Sequence, residues 1–90
     1  MNNVCLIGEA TAEMELDDRS TGRLDLMVPE WVKNDEGDWG WSAFRVGVEV
    51  HGKQAAAFAD RIASGVRVAV TGRLAASGKV IAHSVELAPA

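Results

Sequence analysis

The sequence predicts an all-β domain with one helix, in which five strands close into a small barrel. Three observations point there. Apolar and polar residues alternate with a period of two over 23–28, 44–51 and 66–71, the pattern of half-buried strands. That period gives way once, over 55–63, to the spacing of a helix lying on a core. The chain is only 90 residues long, and a sheet closed on itself leaves few exposed edges in so small a domain.

The elements follow in order. Val4-Cys5-Leu6-Ile7-Gly8 is a short apolar run of strand formers closed by glycine. The polar stretch from Glu9 to Ser20 has Met14 and Leu16 as its expected anchors, and Ser20-Thr21-Gly22 reads as a turn. Leu24, Leu26 and Val28 then alternate with Arg23, Asp25 and Met27, and Pro29 is expected to end regular pairing or mark an edge. Asn34-Asp35-Glu36-Gly37 is a strong hairpin signal. In the third strand Phe44, Val46, Val48 and Val50 share an apolar face. Trp41, Ala43, Arg45, Gly47, Glu49 and His51 share the other. Ala55, Phe58, Ala59, Ile62 and Ala63 form the helical stripe, and Gly65 is the expected residue that stops it. Val66, Val68 and Val70 mark a fourth strand, Ala76-Ser77-Gly78 a tight turn, and 80–87 a fifth strand. The order β-β-β-α-β-β is the layout of the OB-fold, its helix plugging one end of the barrel. Residues 1–90 are read as a single such domain.

Composition excludes several classes. Hydrophobic residues make up 48%, too many for a disordered chain, and no run approaches the ~20 apolar residues of a membrane span. The N-terminus lacks the basic and apolar regions of a signal peptide. Cys5 has no second cysteine to pair with, and with His51 and His83 it offers no zinc-ligand spacing. A reduced, cytoplasmic protein without metal or other cofactor is expected. Net charge is −4 and unevenly placed: residues 9–38 hold ten acids and three bases, residues 39–90 three acids and six bases. A basic face on an acidic body is compatible with that distribution. No glycine loop cradles phosphate, no carboxylates are placed as a pair, and Cys5 is expected to be an inert, packed thiol. The chain is therefore not expected to be an enzyme or to take a small-molecule substrate.

Four patches then carry a resemblance. Met1-Asn2-Asn3-Val4-Cys5-Leu6-Ile7-Gly8, Phe44-Arg45-Val46, His51-Gly52-Lys53-Gln54-Ala55 and Val70-Thr71-Gly72-Arg73-Leu74 together resemble the bacterial single-stranded DNA-binding proteins. Three of them correspond to that family's aromatic-x-Arg-Val, Phe-Gly-Lys-x-Ala and Val-x-Gly-x-Leu patterns, in the same order. The resemblance spans nearly the whole chain and implies the OB-fold that the periodicity suggests independently. It implies sequence-tolerant binding of single-stranded DNA in replication, recombination or repair, as a homodimer or homotetramer, with replication or repair proteins as further partners and a nucleoid-associated location. The sequence also departs from the family. The last hairpin has shrunk to Ala75-Ala76-Ser77-Gly78, and the sequence stops at Ala90, shortly after the barrel, where that family usually carries a flexible acidic tail. In these respects it is reminiscent of the primosomal replication protein N relatives.

Single strands are held by stacking on aromatic rings and by cations that track phosphates. Trp31, where the resemblance places a stacking aromatic, and Trp41, on the Arg45 face, are the first candidates; a core or interface tryptophan is the competing reading. Trp39 has the same parity but is expected to cover the turn. His51 stands where the family has Phe. Phe44 and Phe58 are assigned to the core. Arg45 leads the phosphate candidates, followed by Lys33, Arg73, Lys79, Arg23 and Arg67, since guanidinium both pairs with phosphate and stacks on bases. An ordinary solvated charge is the alternative for each. Lys53 and Arg61 fall on the helix, away from this face. Glu49 shares the Arg45 face and opposes phosphate unless a cation holds it. The rival functional reading is an OB-fold module that has lost DNA binding and engages protein, which the acidic first half favours. RNA binding is a third. Strand one is the expected self-association edge.

Overall fold

The computed structural model describes residues 2–88. Its elements are β1 (Val4–Ala10), β2 (Glu15–Leu16), β3 (Thr21–Lys33), β4 (Trp39–His51), α1 (Gly52–Ala59), β5 (Arg67–Leu74) and β6 (Val80–Leu87). The sheet order is β1-β5-β6-β4-β3-β2, and a further β1–β3 pairing closes it. All neighbours are antiparallel except β4 and β6, which run parallel. The five long strands thus form the expected OB-fold barrel. The sixth, β2, is a two-residue bridge to Arg23 and Gly22 of β3, too short to leave a periodic signature.

The alternating apolar residues fill the barrel. Leu24, Leu26 and Val28 of β3, Val48 and Val50 of β4, Val68 and Val70 of β5, and Val80 and Val85 of β6 are all buried. Ala10, Met14, Ala55 and Ile62 complete the core. Each large side chain so buried contributes about 1.5–3 kcal/mol of transfer free energy.

Several expectations change. The helix ends at Ala59, before Ala63. Beyond it the Arg61 and Ile62 amides both donate to the Phe58 carbonyl, and this turn carries Ile62 into the core. A turn that continues the helical sense keeps the apolar spacing, so periodicity overestimates the helix. Gly65 does adopt a positive φ of 89°, but its N–H donates to the Ala10 carbonyl and ties the loop to β1 rather than capping α1. Cys5 is exposed. Val4, Leu6, Gly8 and Ala10 face the barrel while Cys5, Ile7 and Glu9 face outward. Because Cys5 and Ile7 are themselves apolar, the alternation is hidden in the sequence. Leu16 is exposed and only Met14 anchors its segment. Phe58 packs against the core, but Phe44 is exposed.

Phe44 is exposed because β3 and β4 are each 13 residues long while β1 has seven and β5 and β6 have eight. The β3–β4 hairpin therefore overhangs the barrel as an arm, and the molecule measures 47 × 31 × 19 Å. Pro29 does not end pairing: it sits opposite Ala43 in an unbroken ladder. The other side of β3 meets β1 only at Met27 and Leu26, so the edge at Pro29 is open and a missing N–H is tolerated.

Candidate nucleic-acid interface

The arm owes its geometry to its turn. The Asn34 carbonyl accepts from Gly37 N–H, the Asn34 N–H donates to the Asp38 carbonyl, and the Asn34 side-chain oxygen accepts from the Glu36 and Asp38 amides. Gly37 takes the required positive φ of 88°. This turn fixes the register Lys33↔Trp39, Trp31↔Trp41, Pro29↔Ala43, Met27↔Arg45, Asp25↔Gly47, Arg23↔Glu49 and Thr21↔His51. Odd-numbered residues of both strands consequently share one face.

Three tryptophans cluster on that face at the end of the arm. Trp31 and Trp39 lie parallel within 9° with ring centroids 6.4 Å apart, and Trp41 meets Trp31 edge-on at 5.3 Å and 68°. Their exposures are 53% for Trp31, 58% for Trp39 and 72% for Trp41. Rings this open are not core residues, and a contiguous exposed aromatic patch marks an interaction surface. Trp39 does not merely cover the turn; it is the first residue of β4 and part of the cluster. Its parity with Trp41 was the available signal, outweighed by its nearness to the turn residues.

The cations divide into two groups. Arg45 lies opposite Met27 and Lys33 opposite Trp39, and neither has an ion-pair partner among the described residues. The same holds for Arg73, which the register carries onto this surface: Arg23 faces Glu49, Glu49 faces Ile81, and Ile81 faces Arg73. The other group is already paired. Arg23 lies 3.5 Å from Asp17, Lys79 lies 3.7 Å from Glu49, and His51 lies 3.6 Å from the same carboxylate. Glu49 is therefore held by the Lys79 cation, but it also occupies it. Arg67 is separate: it pairs in register with Glu9, at the opposite end of β5 from Arg73, some 20 Å along the strand. The face brings together Trp31, Trp41, Arg45, Lys33, Arg73, Lys79, Arg23 and His51, and leaves Arg67 out.

Acids bracket this surface without covering the tryptophans. Asp35, Glu36 and Asp38 sit in the turn. At the barrel end, Glu13, Glu15, Asp25 and Glu49 line a groove of about 250 Å³ together with Arg23 and Lys79. Among the described residues no group of His, Cys, Asp or Glu is arranged to hold a metal ion, and no helix is long and apolar enough to cross a membrane.

Asp17 organises the turn that delivers Arg23. Its carboxylate accepts from the Thr21 and Arg19 amides at 2.9 and 2.8 Å. Those two bonds, with the Arg23 and Arg19 charges, hold its pKa below the ordinary 3.8. A depressed carboxylate stabilises the fold above its unfolded pKa, and that contribution is lost as pH falls through the folded value. The Asp17 side-chain carbon shift, followed by NMR, is expected to titrate below 3.8, with the Arg23 contact loosening only in that acid range.

No protein-family profile matches the sequence, and no curated protein sequence does. Solved structures do match. The chain superposes on a deletion mutant of the single-stranded DNA binding protein from Thermus aquaticus with a TM-score of 0.76 at 24% identity, covering 99% of this chain and 51% of that one. It superposes on the small single-stranded DNA-binding protein from Streptomyces coelicolor with a TM-score of 0.76 at 18% identity, covering 98% and 96%. It superposes on the SSB of Plasmodium falciparum in complex with ssDNA with a TM-score of 0.78 at 14% identity, covering 99% and 96%. The chain spans about half the length of the Thermus protein and nearly all of the other two. It has the OB-fold that these single-stranded DNA-binding proteins share.

Proposed function

We propose that the chain binds single-stranded DNA without base-sequence preference and without catalysis, in DNA replication, recombination or repair. The observation that carries this reading is the exposed tryptophan cluster on a projecting arm, flanked on the same face by Lys33 and Arg45. The DNA-binding proteins that share the fold support it. Trp31, Trp39 and Trp41 stack bases; Lys33, Arg45 and Arg73 take phosphates; Lys79, Arg23 and His51 line the track behind them. Self-association extends that track. β1 meets β5 through Val4–Glu9 but meets β3 only at Glu9 and Ala10, which leaves one edge from Val4 to Gly8 without a partner among the described residues. A homodimer or homotetramer built there multiplies weak contacts. The cytoplasm is the compartment this function implies.

A titration of intrinsic fluorescence with oligo(dT) at several salt concentrations tests the reading. Three tryptophans and no tyrosine give a clean signal. Quenching is expected, with log K falling against log salt at a slope of about −2 if Lys33, Arg45 and Arg73 each neutralise one phosphate. Folded protein that neither quenches nor binds at low salt contradicts it. The acid-lined groove favours the second reading, a protein-binding module, which that negative result would leave standing.

Glu49 gives a sharper expectation. Phosphate must displace it from Lys79. Glu49→Gln is expected to tighten oligo(dT) binding several-fold and steepen the salt slope by about 0.7. In a Lys79→Met background that gain is expected to vanish, as binding titrations comparing Lys79→Met with the Lys79→Met, Glu49→Gln double variant will show.

A further inference from the structure

We propose that the outer edge of β4 pairs with the same edge of a second copy of this chain, antiparallel about a two-fold axis at Ser42, joining the two arms into one continuous sheet. This interface is separate from the β1 edge and requires no DNA. β4 is 13 residues long but meets β6 only at Val48 and Glu49. From Trp39 to Val46 its outer side has no strand partner among the described residues, and no turn or side-chain hydrogen bond reaches it.

The turn settles which groups this edge presents. The Asn34 N–H donates to the Asp38 carbonyl, so that pair is hydrogen-bonded within the hairpin. Hydrogen-bonded and non-hydrogen-bonded pairs alternate along an antiparallel ladder. Lys33↔Trp39, Trp31↔Trp41, Pro29↔Ala43 and Met27↔Arg45 are then the non-hydrogen-bonded pairs, and their N–H and C=O groups point outward. The two edges of the arm differ. On β3 the outward positions include Pro29, which has no N–H, and Lys33, and both blunt an edge. On β4 the outward residues Trp39, Trp41, Ala43 and Arg45 include neither proline nor lysine. An unblunted edge is a template for another strand.

A second copy fits this edge. A two-fold at Ser42 sets Trp39 opposite the partner's Arg45 and Trp41 opposite the partner's Ala43, so the four outward residues pair among themselves. Any other centre runs one of them past the open edge. Arg45 has no ion-pair partner among the described residues, and here its guanidinium meets an exposed indole, on which it stacks. Phe44, which is exposed, falls opposite the partner's Gly40, where a Cβ would meet nothing within 4 Å. The partner's acidic turn, with the partner's Asp38 and the partner's Glu36, arrives near Arg45 and Lys79. Lys79 lies beside Gly47 at the end of the open edge. The pairing thus joins opposite charges at both ends of the ladder.

The test is disulfide trapping of the full chain in a Cys5→Ser background, which removes the native thiol. Ser42 meets its own copy across the axis in a non-hydrogen-bonded pair, whose Cα atoms lie about 4.5 Å apart, within the ~4.4–6.8 Å that a disulfide spans. With oxidised glutathione, Ser42→Cys is expected to convert largely to a covalent dimer. Gly40→Cys, on the same strand and face, is expected to remain unlinked, because its mate lies four residues along the partner strand, about 13 Å away. Linkage at both positions, or at neither, overturns the interface. In the unmodified chain, the Trp39, Trp41, Ala43 and Arg45 amides are expected to gain protection from hydrogen exchange as protein concentration rises, until they match those of Gly40, Ser42 and Phe44. Protection that alternates residue by residue at every concentration leaves the edge unpaired and overturns the proposal, whatever the oligo(dT) titration shows.

Discussion

A Trp31→Ala, Trp41→Ala double variant is expected to bind oligo(dT) at least about 30-fold more weakly than the parent chain. Each stacked base contributes ~1–3 kcal/mol, and two lost rings remove about 2 kcal/mol or more, which is that factor. The fold should survive. Both rings lie on the arm and are exposed by more than half, so none of the barrel core is removed. The Trp31–Trp41 contact itself stabilises the hairpin by about 0.5–1.5 kcal/mol, so a small fall in thermal midpoint is expected. The two readouts therefore separate: affinity collapses while the barrel remains folded. Equal affinity in the double variant would show that the cluster is a structural cap on the arm.

Gly72→Ala is expected to lose about 3 kcal/mol of stability or more, a large share of the 5–15 kcal/mol that holds a typical domain. Gly72 sits at the irregularity in the β5–β6 ladder between Thr71 and Gly72. A Cβ there would collide with the Ile81 carbonyl oxygen, and would lie 2.9 Å from the Ile81 carbonyl carbon and 3.0 Å from the Ala82 Cα. All three are backbone atoms, so no side chain can rotate aside, and the strands themselves must part. Gly40→Ala is the control. It is also a strand glycine, but a Cβ at Gly40 meets nothing within 4 Å, and its urea midpoint is expected to stay close to the parent's. A Gly72→Ala midpoint equal to that of Gly40→Ala would contradict the described β5–β6 packing.

The barrel was legible in the sequence because its core residues obey one rule. Leu24, Leu26 and Val28, then Val48 and Val50, then Val68 and Val70, recur at every second position, and every residue between them except Met27 is polar or small. The rule fails where both faces of a strand are apolar, as at Cys5 and Ile7, and where a helical turn outlasts its helix, as at Ile62. It also fails for Phe44. Parity correctly puts Phe44 on the inward face, but parity carries no information on where the barrel beneath the strand ends. The site follows the same logic. Trp31, Trp41, Arg45 and Lys33 were brought onto one face by register, which the Asn34–Gly37 turn signals. The pairing of Glu49 with Lys79 depends on β6 lying parallel to β4, a long-range arrangement with no local signature, whereas His51 meets Glu49 from two residues along the same strand. Arg67 and Arg73 lie on one strand with the same parity, and only their positions along β5 separate them.

The most direct measurement is the ¹H–¹⁵N spectrum of the labelled chain as oligo(dT) is added, read at the three tryptophan indole N–H signals. All three are expected to shift or broaden in step with saturation, together with the backbone amides around Arg45, while amides on the outward face of β1 at Cys5 and Ile7 respond less. Indole signals that stay in place at saturating DNA, or changes centred on the β1 face instead, would contradict binding through the arm.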